Sequence, residues 1–412
     1  MKKNLLLIIF VVSLGFQSCE KNDDDKYADY VVARPLRISK AEFKNSVDII
    51  APRPIEESGK IYAYQNYIFV NDKYRGVHVI DNSNPKAPKK ISFIKIAGNV
   101  DISVKDDYLY ADSITDLMVL DISDINAIKI VDRLENVLQN NVIWPADVDF
   151  FEWEDIDYST EMIIGWELVT ERRLIEEFEN KNGTRGGDIF ALAEASVGQG
   201  GSLARFKIVN DFLYAVDSHS INIFDISDLE HPQDLEDVYA GFDIETIFNS
   251  GQYLFLGSRS GMYIYDISSP ATPTFISEFQ HGTACDPVVV DGDYAYVTLR
   301  GGNNCGATES GLFIVDISNI SKPSLKVQYP MDGPYGLGIK DEKLFICDGD
   351  SGLKVYDKTN VEDLIALNHF EDINTFDVIP LENSLLMVGE DVLYQYEYLE
   401  GNIALISTLM LN

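Results

Sequence analysis

The chain has 412 residues, with 67 acidic against 33 basic side chains, a net charge of −34 and 46% hydrophobic residues. That hydrophobic content supports a full core and excludes wholesale disorder. The strong negative field excludes nucleic acid or an anionic membrane surface as partner. Four cysteines are too few for a disulfide scaffold and form no tight zinc-binding cluster.

The N-terminus carries an address. Lys2 and Lys3 form a positive n-region, and Leu5 to Phe16 is nearly unbroken apolar sequence. At about 12 residues it suits a signal h-region and is short for a membrane span. Gln17-Ser18-Cys19 ends the stretch, and Glu20-Lys21-Asn22-Asp23-Asp24-Asp25 follows. A small residue followed by cysteine at this place resembles a bacterial lipoprotein lipobox. The acidic run resembles the surface-export signal of Bacteroidetes lipoproteins. The resemblance implies removal of residues 1–18, a lipid on Cys19 and display outside the outer membrane. The alternatives are ordinary signal-peptidase cleavage, a merely solvated tether and a periplasmic orientation. Residues 19–58 then read as tether and N-terminal segment, ahead of a folded domain at 59–412.

One phrase recurs through that domain: an apolar run, then Asp, then a turn. It ends at Asp81, Asp121, Asp225, Asp266, Asp316 and Asp357, spaced by 40, 104, 41, 50 and 41 residues. A period near 41 with two insertions accounts for all of them. A second apolar run precedes each anchor, as in Tyr253-Leu254-Phe255-Leu256. A seventh, weaker copy ends at Glu397. The fourth copy predicts strands at Asp243–Phe248, Tyr253–Gly257, Met262–Asp266 and Thr274–Phe279, since β-branched and aromatic residues dominate between Gly, Ser, Asp and Pro turns. The third strand is often apolar on both faces, which implies cover on both sides. Four-stranded units at this period predict an all-β, seven-bladed β-propeller. Its ring closes either with the last strand inside its own blade or with Val31–Ile38 as a closing strand. In Asp266-Ile267-Ser268 the carboxylate suits an Asx-turn that ends the strand, which is a structural role and not a catalytic one.

The pattern in Leu312-Phe313-Ile314-Val315-Asp316-Ile317-Ser318 resembles the LVIVD repeat family of bacterial and archaeal surface proteins. Units one, six and seven depart from it at Asp81-Asn82-Ser83, Asp357-Lys358-Thr359 and Glu397-Tyr398-Leu399. The resemblance implies a cell-surface propeller and no defined reaction, so it names no catalytic residue.

A long insertion, 135–200, separates units two and three. It holds Trp144, Trp153 and Trp166, the three tryptophans of the chain, and 15 acids against four bases. Val142–Trp153 and Met162–Arg173 read as two strands, as in a projecting hairpin. Glu171–Asn182 reads alternatively as a short helix, and Arg172 and Arg173 suit pairing with Glu176 and Glu177. The indoles are candidate ligand-binding groups for sugar rings or aliphatic groups; the alternative is a satellite core that they merely fill.

A second insertion, Arg300–Gly311, contains Cys305. Cys285 and Cys305 flank one hairpin and suit a disulfide in an oxidising compartment; two free thiols or a metal site with His281 are the alternatives. Cys347 reads as a small buried filler. Gly349-Asp350-Ser351-Gly352 looks like a protease nucleophile segment, but Ser260-Gly261 and Ser310-Gly311 share its repeat position, so it reads as a hairpin turn. Asp348, Asp350 and Gly352 suggest a calcium loop only weakly, because later acidic ligands are missing. His78, His219, His231, His281 and His369 have no ligand spacing, and no phosphate loop or dinucleotide fingerprint occurs.

These readings converge on a lipid-anchored binding or scaffold module, without cofactor or metal, whose partner is a protein or glycan of the envelope. The acidic surface opposes self-association and predicts a monomer. The rival is a glycan lyase or hydrolase with a composite site at the channel mouth. A third reading makes the insertion a dock for an envelope neighbour.

Overall fold

The computed structural model describes residues 27–138, 148–153, 155–175, 201–280, 287–300, 310–389 and 391–412. Among them are seven antiparallel sheets of four or five strands and one of three. The fourth repeat is the simplest: Ile244–Ser250, Tyr253–Ser258, Gly261–Asp266 and Thr274–Gln280 pair in chain order. These bounds match the sequence expectation to within two residues. The other six sheets follow the same meander, with two elaborations. The first adds Asp48–Ile50 outside its fourth strand, and the third has a fourth strand broken into Gln233–Asp234 and Val238–Tyr239.

The repeated Asp does what its position suggests. Asp266 Oδ1 accepts the Ser268 N–H at 2.6 Å, and Asp316 accepts the Ser318 N–H at 3.0 Å and its hydroxyl at 2.6 Å. The same turn recurs at Asp81, Asp121, Asp225 and Asp357. Just before most of these turns the third and fourth strands slip by one residue, as at Ile264/Tyr265, Ile314/Val315 and Val79/Ile80. Such a bulge sharpens the right-handed twist that a blade needs.

The second and third strands are buried nearly end to end, because each sheet is packed on both faces. Val77 and Val79 of the first sheet meet Leu109 and Leu120 of the second. Equivalent clusters join each later pair, and Leu386 and Leu393 of the seventh meet Ile68 and Ile80 of the first. The sheets therefore close into a ring. Each such Leu, Ile or Val contributes about 1.5–3 kcal/mol by leaving water.

Closure is by side-chain packing. Asn402–Met410 pairs with Val392–Leu399 in its own sheet, so the first of the two closing schemes holds. Val31–Ile38 is not a closing strand. It lies within Tyr27–Ser39, which pairs in antiparallel register with Glu161–Leu174 of the insertion. The seventh unit already supplies four strands, which leaves no place in it for a borrowed one. The seam is tied instead by Ile55 N–H to Leu411 O at 2.9 Å and Lys90 Nζ to Leu411 O at 2.7 Å.

The insertion also corrects two expectations. Its strands do not form a hairpin: Phe150–Phe151 pairs parallel with Val32–Ala33, so the N-terminal strand stands between the two insertion strands. The helical reading of Glu171–Asn182 fails at its start, where the strand continues through Leu174; Ile175 is helical, and 176–182 lie outside the described residues. Arg173 joins Glu171 and Glu152, at 2.6 and 3.1 Å; Glu176 and Glu177 lie outside the described residues.

Candidate recognition face

In a four-stranded meander, the turns between strands two and three and the links to the next sheet all lie at one end. The Asp turns lie at the other. The extra sheet of Tyr27–Ser39, Phe150–Phe151 and Glu161–Leu174 sits on the link end, over the first two repeats. Ile38 and Phe43 pack with Ala97 and Ile114, and Leu36 packs with Tyr74 and Val100. Gly165 lies flat on Tyr74: a Cβ there would fall 2.2 Å from the ring's Cγ. Arg133 clamps the same junction. Its Nε reaches Asp116 at 2.7 Å, its Nη1 reaches Lys44 O at 3.0 Å, and its guanidinium lies 4.6 Å from the Phe43 ring centroid.

The three candidate tryptophans separate. Trp166 is 2% exposed and Trp153 is 49% exposed. They meet edge to face at 5.4 Å, and Phe151 touches both. Trp166 thus forms the floor of a small aromatic cluster and Trp153 its solvent side; Trp144 lies outside the described residues. Beside them Arg34 bridges Glu152 and Glu171, and Arg173 bridges the same pair. These guanidinium contacts hold both carboxyls below their usual range.

On the ring axis the chain builds something the composite-site reading did not anticipate. The residues just before the apolar run of the inner strands come together near the ring axis. Lys60, Asp101 and Arg205 hold this place in repeats one to three, and Gly336 and Asp377 hold it in repeats six and seven. Lys60 Nζ lies 2.8 Å from Asp101 Oδ2, and both side chains are buried. The same oxygen accepts the Phe206 N–H at 3.0 Å and the Arg205 N–H. Gly201–Leu203, where the chain leaves the insertion, touches the inner strands of the first, fourth, fifth, sixth and seventh sheets. Ser202 Oγ accepts the Leu337 N–H at 3.0 Å, and Ala204 O accepts the Ile247 N–H at 2.8 Å. The end of the insertion therefore crosses the mouth of the ring and fills it.

The axial carboxyls are not equivalent. Asp377 is fully buried, with only the Val378 N–H to support its carboxyl among the described residues. Burial pushes its acid well above the usual range, and pushes the neighbouring Lys60 ammonium down. Asp112 is pushed up to about 6 by burial, although it accepts the Val100 and Asp101 N–H groups at 2.8 and 2.9 Å.

Other candidates resolve as follows. Cys347 is buried as the filler reading has it, its thiol raised by burial. Gly349–Gly352 is a hairpin turn, with Gly349 at φ 57° and Gly352 at φ 84°. Asp348 is already committed there, to Lys354 and to the Gly333 N–H at 2.8 Å, so the calcium-loop suggestion has no free carboxylate at its first position. His78 is buried against Phe93 with Nε2 3.5 Å from Asp72. Cys19, Cys285, Cys305 and His281 lie outside the described residues, and the lipid and disulfide expectations with them. No helix among the described residues is long and apolar enough to cross a membrane.

Lys60, Asp101, Arg205 and Asp377 were not singled out from sequence. The available signal is the repeat column itself: superposing the units puts Lys, Asp, Arg, Gly and Asp in one place that precedes an apolar strand.

Comparison with known proteins supports this architecture. A family model of the LVIVD repeat matches residues 57–92, 97–133, 245–280 and 281–330, which are the first, second, fourth and fifth units. No curated protein matches the chain. Among solved structures, a protein from Lactobacillus plantarum superposes with a TM-score of 0.54 at 10% identity, covering 88% of this chain and 96% of that one. The computationally designed Ika8 protein gives 0.51 at 10% identity, with 86% and 88% covered. BamB from Moraxella catarrhalis gives 0.48 at 9% identity, with 80% and 81% covered. At such identities the likeness to the first two is one of fold alone. The chain is a β-propeller protein that carries LVIVD repeats in four of its units.

Proposed function

We propose that the protein is a lipid-anchored scaffold of the outer membrane that binds an envelope protein through the link end of its ring. The observation that carries this reading is the extra sheet, which seats the half-exposed Trp153 on that end. The channel-mouth enzyme reading is disfavoured because Gly201–Leu203 occupies the mouth.

The anchor gives the face a direction. With a lipid on Cys19, the tether Glu20–Lys26 leads straight into the strand that starts at Tyr27. Its seven residues span at most about 25 Å. The extra sheet is then the part of the molecule held nearest the membrane, and its partner belongs to the membrane surface. Outward display is favoured by the acidic run after Cys19.

A photo-crosslinking amino acid at position 153 of the full chain tests this, with position 268 on the opposite end as control. A discrete adduct with an envelope protein from 153 alone supports the proposal. Equal adducts from both positions, glycan adducts only, or none from 153 overturn it. Replacement of Cys19 by Ala, with release from the membrane fraction as readout, tests the anchor separately.

A further inference from the structure

A second aromatic surface stands on the same end of the ring, away from the extra sheet. Where the fourth strand of the third sheet breaks, the link to the fourth sheet carries Tyr239 and Phe242, which are 60% and 62% exposed. Phe242 meets the His219 ring at 5.6 Å and the Tyr239 ring at 6.0 Å, both edge to face. Large aromatic side chains left this open are costly unless something covers them.

The shelf is rigidly held. His219 O accepts the Ala240 and Gly241 N–H groups at 2.8 and 3.2 Å, and the Tyr265 hydroxyl donates to Ala240 O at 3.0 Å. Gly241, at φ 145°, lies on the Tyr263 ring, where a Cβ would fall 2.8 Å from Cζ. The chain can therefore hold the rings in place before anything binds.

Two carboxylates, Asp217 and Asp237, stand near the rings. Asp217 is buried beneath His219 and accepts its N–H at 2.7 Å. Asp237, two residues before Tyr239, is pushed up to about 6 by partial burial and by the charges of Asp234 and Asp217. Aromatic faces attract cations through their quadrupole, and neighbouring carboxylates add a field of the same sense. Apolar rings alone do not select a ligand; rings beside mutually repelling acids select a cation.

We infer that His219, Tyr239 and Phe242 form a docking shelf for an arginine- or lysine-bearing segment of a partner protein. This rests on the scaffold reading and names the partner's chemistry. The guanidinium or ammonium group lies over the exposed rings, and Asp237 offsets its charge.

The test is a fluorescence anisotropy titration of the mature protein with an Arg-containing decapeptide and its citrulline counterpart, which keeps the shape and removes the charge. The Arg peptide is expected to bind at least tenfold more tightly than the citrulline one. Phe242→Ala and Tyr239→Ala are each expected to weaken it about two- to fivefold, with unchanged thermal midpoints since both side chains are exposed. Trp153→Ala is expected to leave it unchanged. If the Phe242→Ala, Tyr239→Ala double variant binds like the parent, the general negative charge is responsible and the shelf is wrong. Absence of Arg-peptide binding overturns it too. Loss through Trp153→Ala alone would move the cation site to the extra sheet, leaving the scaffold reading intact and this inference refuted.

Discussion

Lys60 Nζ and Asp101 Oδ2 stand 2.8 Å apart at corresponding positions of adjacent sheets, both buried on the ring axis. Asp101 also receives two backbone N–H groups from the chain that leaves the insertion. One carboxylate thus joins the first, second and third repeats. Burial opposes the Lys60 charge and Asp101 supports it, and burial is the larger effect. Removing one partner leaves the other charge without compensation. Asp101→Asn is expected to cost about 3–5 kcal/mol. The double variant Lys60→Met, Asp101→Leu is expected to cost less on the ion-pair account, the loss of the backbone acceptor aside. Urea unfolding of the parent, Asp101→Asn, Lys60→Met, Asp101→Leu and the double variant checks this; a double variant as unstable as the sum of its singles would count against the pair.

The Asp turns make a separate prediction about acid. Hydrogen bonds from the residue two positions on hold Asp225 and Asp316 below the usual carboxylate range, the serine hydroxyls first and the backbone N–H second. A folded-state value below the unfolded one gives stability that is present above the unfolded value near 4 and lost as pH falls through the folded one. Asn keeps the acceptor oxygen and removes the titration. Asp225→Asn and Asp316→Asn together are therefore expected to shift the thermal midpoint little at pH 7 and to shrink its decline below pH 4. A decline as steep as that of the parent would show that these turns contribute nothing to acid sensitivity.

What could be read from sequence, and what could not, follows from distance along the chain. Leu254, Phe255 and Ile264 announce their strands because they sit in short apolar runs closed by Gly, Ser or Asp, and the repeat then multiplies a weak signal. The Asp turn is local and equally legible. The pairing of Tyr27–Ser39 with Glu161–Leu174 joins segments far apart in sequence, and neither repeats, so no second copy reinforces it. The axial charges were hidden for another reason. Lys60 or Asp377 in isolation reads as an exposed polar residue at a strand start, and only ring closure turns that place inward. Trp166 and Trp153 have the same residue type and opposite exposure, which composition cannot separate.

Asp377 carries the opposite sign from the Asp turns. Its acid is raised by burial, so stability falls as pH rises above the unfolded value near 4 and continues to fall until the folded group ionises. Gly336 makes room for it: a Cβ there would meet Asp377 Oδ1 at 2.3 Å. Asp377→Asn fits the same space without a charge to bury. It is expected to raise stability at pH 7.5 by at least about 1 kcal/mol and to leave stability at pH 4 nearly unchanged. Denaturant curves at the two pH values decide this, and a loss at pH 7.5 would assign the ionised carboxylate a favourable axial partner.

The Gly165–Tyr74 contact separates the extra sheet from the ring it rests on. The atoms nearest a new Cβ are Cγ and Cδ2 of the Tyr74 ring, at 2.2 and 2.4 Å, and this ring is buried. It is pinned by its own backbone, since the Tyr74 N–H reaches Asn99 O at 2.9 Å and Tyr74 O accepts the Gly98 N–H at 2.7 Å. The ring cannot swing aside cheaply, so Gly165→Ala must lift the strand. Overpacking of this kind costs about 1–3 kcal/mol, and the cost falls on docking, because the strand that holds Gly165 belongs to the extra sheet and to none of the seven ring sheets. Limited proteolysis is therefore expected to cut within Glu161–Leu174 faster in Gly165→Ala than in the parent, while the main thermal transition moves by no more than a few degrees. Tyr74→Ala in the same background is expected to restore part of the protection by opening space for the methyl group. If Gly165→Ala instead unfolds the whole molecule in one earlier transition, the extra sheet and the ring form a single cooperative unit.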